Sequence, residues 1–260
     1  MSTPETAVTT APTRTAHRRH YLMCRPEHFT VNYSINPWME PSRPTDTANA
    51  VAQWQKLYDL YVELGHEVEL IDPLPGYPDM VYTANGGFLI DGRAYVPEFR
   101  FVERQGEAPA FADWFRAAGY DTVMPEEVNE GEGDILMVGD VLLAGTGFRT
   151  DRASHGEIAR VTGREVVSME LVDPHYYHLD TALTVLSSDP AAPLIAYFPP
   201  AFSDASRTEL ERRFPDAVIA SEQDAACLGL NAVSDGKHVV VAPGATDLAA
   251  QLTERGFEPI

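Results

Sequence analysis

From residue 86 onward the chain repeats itself. Four successive segments follow one order of strand, tight turn, strand, helix, strand. The first joins GGFLIDGRAYVPEF, the helical stretch APAFADWFRAAG and YDTVMP; the second joins DILMVGDVLLAG, DRASHGEIARVTG and REVVSM. The third joins DTALTVLSSDPAAPLIAYFP, SDASRTELERRF and DAVIA; the fourth joins GLNAVSDGKHVVVAP, ATDLAAQLTERG and FEPI. The segments begin near residues 86, 134, 180 and 229, a spacing of roughly 46–49 residues that suits an array of supersecondary units. An altered unit precedes them, with a strand at His20–Cys24, a long helix near Asp46–Leu64 and the strand GHEVELID. Five units can close into a ring, which removes free sheet edges. The expected fold class is α/β, a five-bladed propeller of pseudo-fivefold ββαβ repeats. The competing reading is an open α/β or α+β fold with accidental regularity.

Local signals support the repeat. Asp91-Gly92 and Asp235-Gly236 read as hairpin turns, with Gly139-Asp140 a weaker third. Asp151, Ser203 and Thr246 are expected helix N-caps. Gly119, Gly163 and Gly256 follow helices, where a left-handed residue is wanted.

A chain of 260 residues with 44% apolar side chains can bury one large core. Residues 1–17 are rich in Thr, Ala and Pro and read as a disordered tail, leaving residues 18–260 as a single domain. The tail lacks the apolar stretch of a secretory signal, and no apolar run is long enough to cross a membrane, so the cytoplasm is the expected location. The net charge of −20 opposes nucleic-acid binding and suits a cationic small molecule, although solubility alone also accounts for it. A homo-oligomer is left open. Cys24 and Cys227 do not form a disulfide framework, and each by itself reads as an inert buried thiol.

Equivalent positions of a ring face one axis, so the residues leading each unit's first strand are expected to converge. They are Asn85 in TANGG; Glu130, Glu132 and Asp134 in EGEGD; His178 and Asp180 in HYYHLDT; and Cys227 in CLGLN. Each has a bland explanation alone, as turn chemistry or a satisfied histidine. Together they bring a thiol, an imidazole, carboxylates and an amide to one place, a set no ordinary core needs. A thiol beside an imidazole can ionise and act as a nucleophile. Carboxylates beside that pair suit a planar cation, which they grip through paired N–H donors.

These residues resemble the guanidine-modifying superfamily, which includes arginine deiminase, dimethylarginine dimethylaminohydrolase and arginine:glycine amidinotransferase. The resemblance spans roughly residues 19–260 and implies the pentein fold, a five-bladed α/β propeller. MCRPEHFTVNYSINPWM, TAN at 83–85, ERQGE at 103–107, EGEGD, GTGFRT at 145–150 and CLGLNAVSDG are similar to the arginine dihydrolase branch. The resemblance implies Cys227 as nucleophile, His178 as general acid/base and Glu130 as guanidinium holder and proton relay. It implies Asp180, Asn85, Asn36 and Asp134 in the substrate pocket, and Arg104 as partner of the substrate carboxylate. Deiminases carry Asp where this chain has Asn85, which favours the dihydrolase reading. EGEGD is one residue longer than the deiminase EGGD, so Glu132 is an alternative to Glu130.

The implied reaction is hydrolysis of arginine or a close derivative through an S-amidino intermediate, ending at ornithine, ammonia and carbon dioxide or at citrulline and ammonia. It needs no metal and no organic cofactor. Dimethylarginine hydrolysis and amidinotransfer are the alternatives on the same scaffold. Outside it stand a metal-dependent hydrolase using the His175/His178 pair and a non-catalytic binding propeller. The Pro-rich segment 36–44 reads as a loop at the pocket mouth.

Overall fold

A computed structural model describes residues 12–260. Five small sheets follow one another along the chain. The first holds β1 (His20–Cys24) and β2 (Glu67–Ile71), and the second holds β3 (Phe88–Ile90), β4 (Arg93–Tyr95) and β5 (Asp121–Val123). The third holds β6 (Ile135–Val138), β7 (Val141–Thr146) and β8 (Glu165–Glu170), and the fourth β9 (Leu183–Ser187), β10 (Leu194–Tyr197) and β11 (Val218–Ile219). The fifth holds β12 (Val233–Ser234), β13 (His238–Val240) and β14 (Glu258–Pro259). The helices are α1 (Thr47–Glu63), α2 (Val102–Gln105), α3 (Ala108–Ala117), α4 (Arg152–Thr162), α5 (Leu179–Ala182), α6 (Asp204–Arg213), α7 (Glu222–Ala226) and α8 (Thr246–Glu254).

In sheets two to five the inner strand pairs antiparallel with the middle strand. A helical crossover then returns the chain to an outer strand parallel to the middle one. The Asp91-Gly92 turn closes the β3–β4 hairpin with positive φ at both residues, the twist a two-residue hairpin wants. Phe111, Ala112 and Phe115 give α3 one buried face.

The expected caps hold in part. Ser203 caps α6 by accepting from the Ser206 amide, and Gly163 ends α4 in the left-handed region. Asp151 precedes α4 but makes no cap bond, because its carboxylate pairs with Arg100. Ala245, not Thr246, is the N-cap of α8.

One apolar core runs through the third, fourth and fifth sheets, with Leu143, Met169, Leu183, Ile195, Leu210, Val239 and Leu252 fully buried. The inner strands are neighbours, β6 against β9 and β9 against β12. Residues 1–11 of the expected tail lie outside the described residues. Residues 12–17 lie against the fifth sheet. Arg14 donates to the Arg255 carbonyl at 3.0 Å and covers the Phe257 ring, and the His17 amide donates to the Asp235 carbonyl at 2.8 Å. Composition alone misses this because the anchors are backbone groups and one cation on a ring. Among the described residues no helix is long and apolar enough to cross a membrane.

Candidate active site

Short turns precede the inner strands and carry the polar residues inward. A 3-10 turn over Thr83–Gly86 presents Asn85, and another over Gly131–Gly133 follows Glu130. His178 precedes α5, one turn before β9. The glycines of EGEGD make the approach possible. Gly131 has a φ of +56°, and a Cβ there would meet the Gly87 carbonyl oxygen at 2.6 Å. A Cβ on Gly133 would fall 2.2 Å from Asn85 Nδ2 and 3.3 Å from His178 Nδ1.

His178 is buried between two carboxylates. Its Nδ1 lies 3.0 Å from Asp134 Oδ2, and its Nε2 lies 3.3 Å from Glu130 Oε2. Burial alone would lower its pKa, but Asp134 and Glu130 outweigh it and raise the imidazole from 6.5 to about 9. Burial likewise pushes Glu130 upward, but His178, Arg149 and Arg104 prevail and hold it at about 2. At neutral pH the pair is an imidazolium and a carboxylate.

Asp134 is held by three groups. Its Oδ1 accepts from the Leu179 amide at 2.9 Å, and its Oδ2 accepts from the Thr150 hydroxyl at 2.7 Å besides facing His178. It holds the imidazole in place. Glu130 differs. Its Oε2 accepts from Arg149 Nη1 at 2.8 Å, yet its Oε1 is buried with no partner. An unpaired oxygen on a buried carboxylate is costly unless a donor arrives from outside.

Arg104, the expected partner of a substrate carboxylate, is buried and paired within the protein. Its Nε and Nη2 clamp both oxygens of buried Glu107, Nη2 also reaches the Asp79 carbonyl, and Nη1 donates to Asn85 Oδ1 at 2.8 Å. Because Arg104 can only donate, it fixes the amide of Asn85 with Nδ2 toward His178 Nε2, 3.4 Å away. Arg149 is the residue the motif reading passed over, although GTGFRT contains it. Besides Glu130 it donates to the Ile35 carbonyl at 3.2 Å and lies over the Phe101 and Tyr177 rings. A lone cation in a Gly-rich, apolar stretch is the signal that marks it, since it must find a carboxylate if buried.

The remaining expected residues make no hydrogen bond to His178 or Glu130, although His178 and Asp134 act electrostatically on Asp180. Asn36 accepts from the Trp38 amide at 2.9 Å and shapes its own loop, which reaches the site through Ile35 instead. Glu132 and Asp180 line a cavity of about 650 Å³. Burial pushes each of these carboxyls up to about 7. His175 is exposed and pairs with Asp173, whereas His178 is buried.

Neither cysteine meets His178. Cys227 caps the end of α7, its sulfur directed at the Asp224 carbonyl at 3.2 Å. The next residue, Leu228, has a φ of +56°, a strained conformation for a bulky side chain. It turns the chain so that Asn231 donates to the Asp180 carbonyl at 3.3 Å. The expected thiol–imidazole contact is therefore not formed. Cys24 is buried, and burial pushes its thiol up to about 12.

No family model matches the chain. It is 53% identical over 247 residues to an N(G),N(G)-dimethylarginine dimethylaminohydrolase of Mycobacterium tuberculosis, spanning 95% of this chain and 80% of that protein. It is 38% identical over 244 residues to the bifunctional arginine dihydrolase/ornithine cyclodeaminase ArgZ of Synechocystis, across 91% of this chain and 34% of that longer protein. A crystal structure of the N-terminal domain of ArgZ, covalently bound to a reaction intermediate, superposes with a TM-score of 0.86 at 35% identity, covering 93% of this chain and 89% of that domain. With a buried imidazole held between carboxylates, and relatives at this level of identity over nearly its whole length, the chain belongs to the guanidine-modifying superfamily, near its arginine dihydrolase branch.

Proposed function

We propose that this chain hydrolyses the guanidino group of arginine or a methylated arginine, on a five-bladed α/β propeller formed by the single domain of residues 18–260. The observation that carries the reading is the partnerless Oε1 of Glu130, on a carboxylate held anionic and buried beside His178. A guanidinium supplies the N–H that oxygen lacks and neutralises the charge.

The chemistry follows from the protonation states. A thiolate attacks the guanidino carbon, forming an S–C bond. The C–N bond to the departing nitrogen breaks, and that nitrogen takes the proton of the His178 imidazolium. Neutral His178 then takes a proton from water. The resulting hydroxide adds to the same carbon, the S–C bond breaks, and the thiolate is regenerated with release of a ureido product. A second round on the ureido carbon releases a second ammonia and leaves the carbamate of ornithine, which breaks down to ornithine and carbon dioxide; stopping after one round yields citrulline. Asp134 holds the imidazole for both proton transfers, and Asn85, oriented by Arg104, lines the approach. For Cys227 to supply the sulfur, the 224–231 segment must carry it from the Asp224 carbonyl to Nε2 of His178.

Hydrolysis of dimethylarginine to citrulline and dimethylamine is the second reading. It is favoured by the 53% identity to the mycobacterial dimethylaminohydrolase, against 38% to ArgZ. Calorimetry separates the guanidine reading from its rivals. Arginine or dimethylarginine binds, neutral citrulline binds far more weakly, and Glu130→Gln abolishes the difference. Equal affinity for citrulline and arginine ends the reading. Mass spectrometry of products from each bound ligand then decides between ornithine, citrulline and dimethylamine release.

A further inference from the structure

The GTGFRT segment ends β7 and turns toward α4, and its last two side chains are both buried, Arg149 at 3% exposure and Thr150 at 1%. These two residues take up the carboxylates that flank His178. Arg149 donates to Glu130 Oε2, and the Thr150 hydroxyl donates to Asp134 Oδ2 at 2.7 Å. The same hydroxyl oxygen accepts from the Glu130 amide at 3.1 Å. Glu130, at Nε2 of the ring, and Asp134, at Nδ1, therefore hang on one oxygen atom. The loop that carries this oxygen is fixed without help from His178. The Thr146 hydroxyl donates to the Thr150 carbonyl at 3.0 Å, the Asp151 amide donates to the Val128 carbonyl at 3.0 Å, and Arg100 Nε donates to the Arg149 carbonyl at 2.9 Å.

The direction of the hydroxyl proton follows from its partners. A threonine hydroxyl carries one proton, and a backbone amide only donates. The Glu130 amide takes a lone pair of the oxygen, so the proton lies on the side of Asp134, whose carboxylate accepts it. Asp134 Oδ2 is thus shared by two donors, the Thr150 hydroxyl at 2.7 Å and His178 Nδ1 at 3.0 Å. Negative charge drawn toward the hydroxyl is withheld from the imidazolium. Asp134 and Glu130 make the ring hold its proton, and the Thr150 hydroxyl works against them. An acid that holds its proton too tightly surrenders it slowly to a leaving amine, so a restraint of this kind favours turnover.

We propose that Thr150 is a positioning residue of this site: its hydroxyl sets the spacing of Glu130 and Asp134 about His178 and loosens the ring's hold on the proton that Nε2 delivers to the departing nitrogen. The delivery rests on the guanidine-hydrolase reading; the effect on the ring does not. The other charged and titratable groups near the ring act by routes that leave this hydroxyl out. Arg149 and Arg104 act through Glu130. Asp180, two residues on, interacts with the imidazole at a distance, and the Tyr177 ring lies 4.9 Å from it. His155 stands behind Asp134. Its Nε2 donates to the Gly145 carbonyl at 3.0 Å, and the Gly145 amide donates to the Asp134 carbonyl at 2.7 Å. Replacing the Thr150 hydroxyl by a methyl group therefore removes its bonds to Glu130 and Asp134 and keeps every ion pair.

The test compares Thr150→Val, which removes the hydroxyl, with Thr150→Ser, which keeps it. The readouts are nitrogen NMR titration of the His178 imidazole, turnover of arginine across pH, and circular dichroism for the fold. In Thr150→Val the His178 titration is expected to move up by ~0.5–1 pH unit, the size of one net hydrogen bond. Its kcat is expected to fall at least about tenfold with little change in KM, because the loss falls on proton transfer and not on binding. Thr150→Ser restores both. A purely structural role lowers stability and leaves the titration where it was. A His178 titration that stays in place or moves down in folded Thr150→Val, or a Thr150→Ser protein that behaves like it, overturns the proposal. An upward titration with unchanged kcat overturns the claim on proton delivery. If Thr150→Val does not fold, Thr150→Ala carries the same comparison. Absence of arginine turnover in the unsubstituted protein counts against the guanidine reading, and the titration still decides the effect on the ring.

Discussion

Asp134 Oδ2 sits 3.0 Å from Nδ1 of His178 while its other oxygen accepts from the Leu179 amide, so one carboxylate fixes both the ring and the backbone that carries it. With Glu130 on the opposite nitrogen, the ring is an acid at neutral pH. Its pKa is raised from 6.5 to about 9 on folding, so this contribution to stability is complete below about 6.5 and is lost as pH rises through about 9. In Asp134→Asn the deficit in stability against wild type is expected to be largest near pH 6 and to narrow above pH 9, followed by chemical denaturation across that range. A deficit independent of pH removes His178 from the account.

Binding of a cation should move that proton. A guanidinium on Glu130 withdraws part of the negative charge that holds the imidazolium, so the pKa of His178 falls. Arginine binding between about pH 7 and 9 is therefore expected to release protons, visible as a binding enthalpy that depends on the ionisation enthalpy of the buffer. Glu130→Gln should abolish that dependence.

Gly133→Ala places a methyl group 2.2 Å from the Asn85 amide nitrogen and 3.3 Å from His178. Displacing reacting groups by ~1 Å costs on the order of 10²-fold in rate. The expected outcome is a fall of that size in kcat/KM with the fold retained by circular dichroism.

Arg104→Leu leaves Glu107 buried and unpaired and releases the Asn85 amide. Removing one partner of a buried ion pair costs ~3–5 kcal/mol, measured by urea unfolding. If Arg104 gripped the substrate carboxylate, Arg104→Lys would raise KM for arginine but leave agmatine, which lacks that group, unaffected. The geometry instead predicts the same proportional loss for both.

Cys227→Ser is expected to leave arginine binding intact and stability within ~1.5 kcal/mol of wild type, since the one hydrogen bond of its sulfur is to the Asp224 carbonyl. Loss of all turnover in this variant, with binding preserved, returns this sulfur to the reaction.

Much of the architecture is legible in the order of residues, because it rests on short-range rules. The Asp91-Gly92 turn, Ser203 as a cap, and the strand–turn–strand–helix–strand period each depend on a few neighbouring side chains. The same period brought out Asn85, Glu130 and His178 as residues of one site, and they do meet. Tertiary structure alone shows which of Glu130 and Glu132, two residues apart in EGEGD, lies against His178, because left-handed Gly131 sends one carboxylate to His178 and the other into the cavity. It decided that Arg104 serves Asn85 and Glu107, that Arg149 neutralises Glu130, and that Cys227 stops short of the imidazole. Such pairings join residues from different units, and their energies depend on burial and distance, which a linear pattern does not contain.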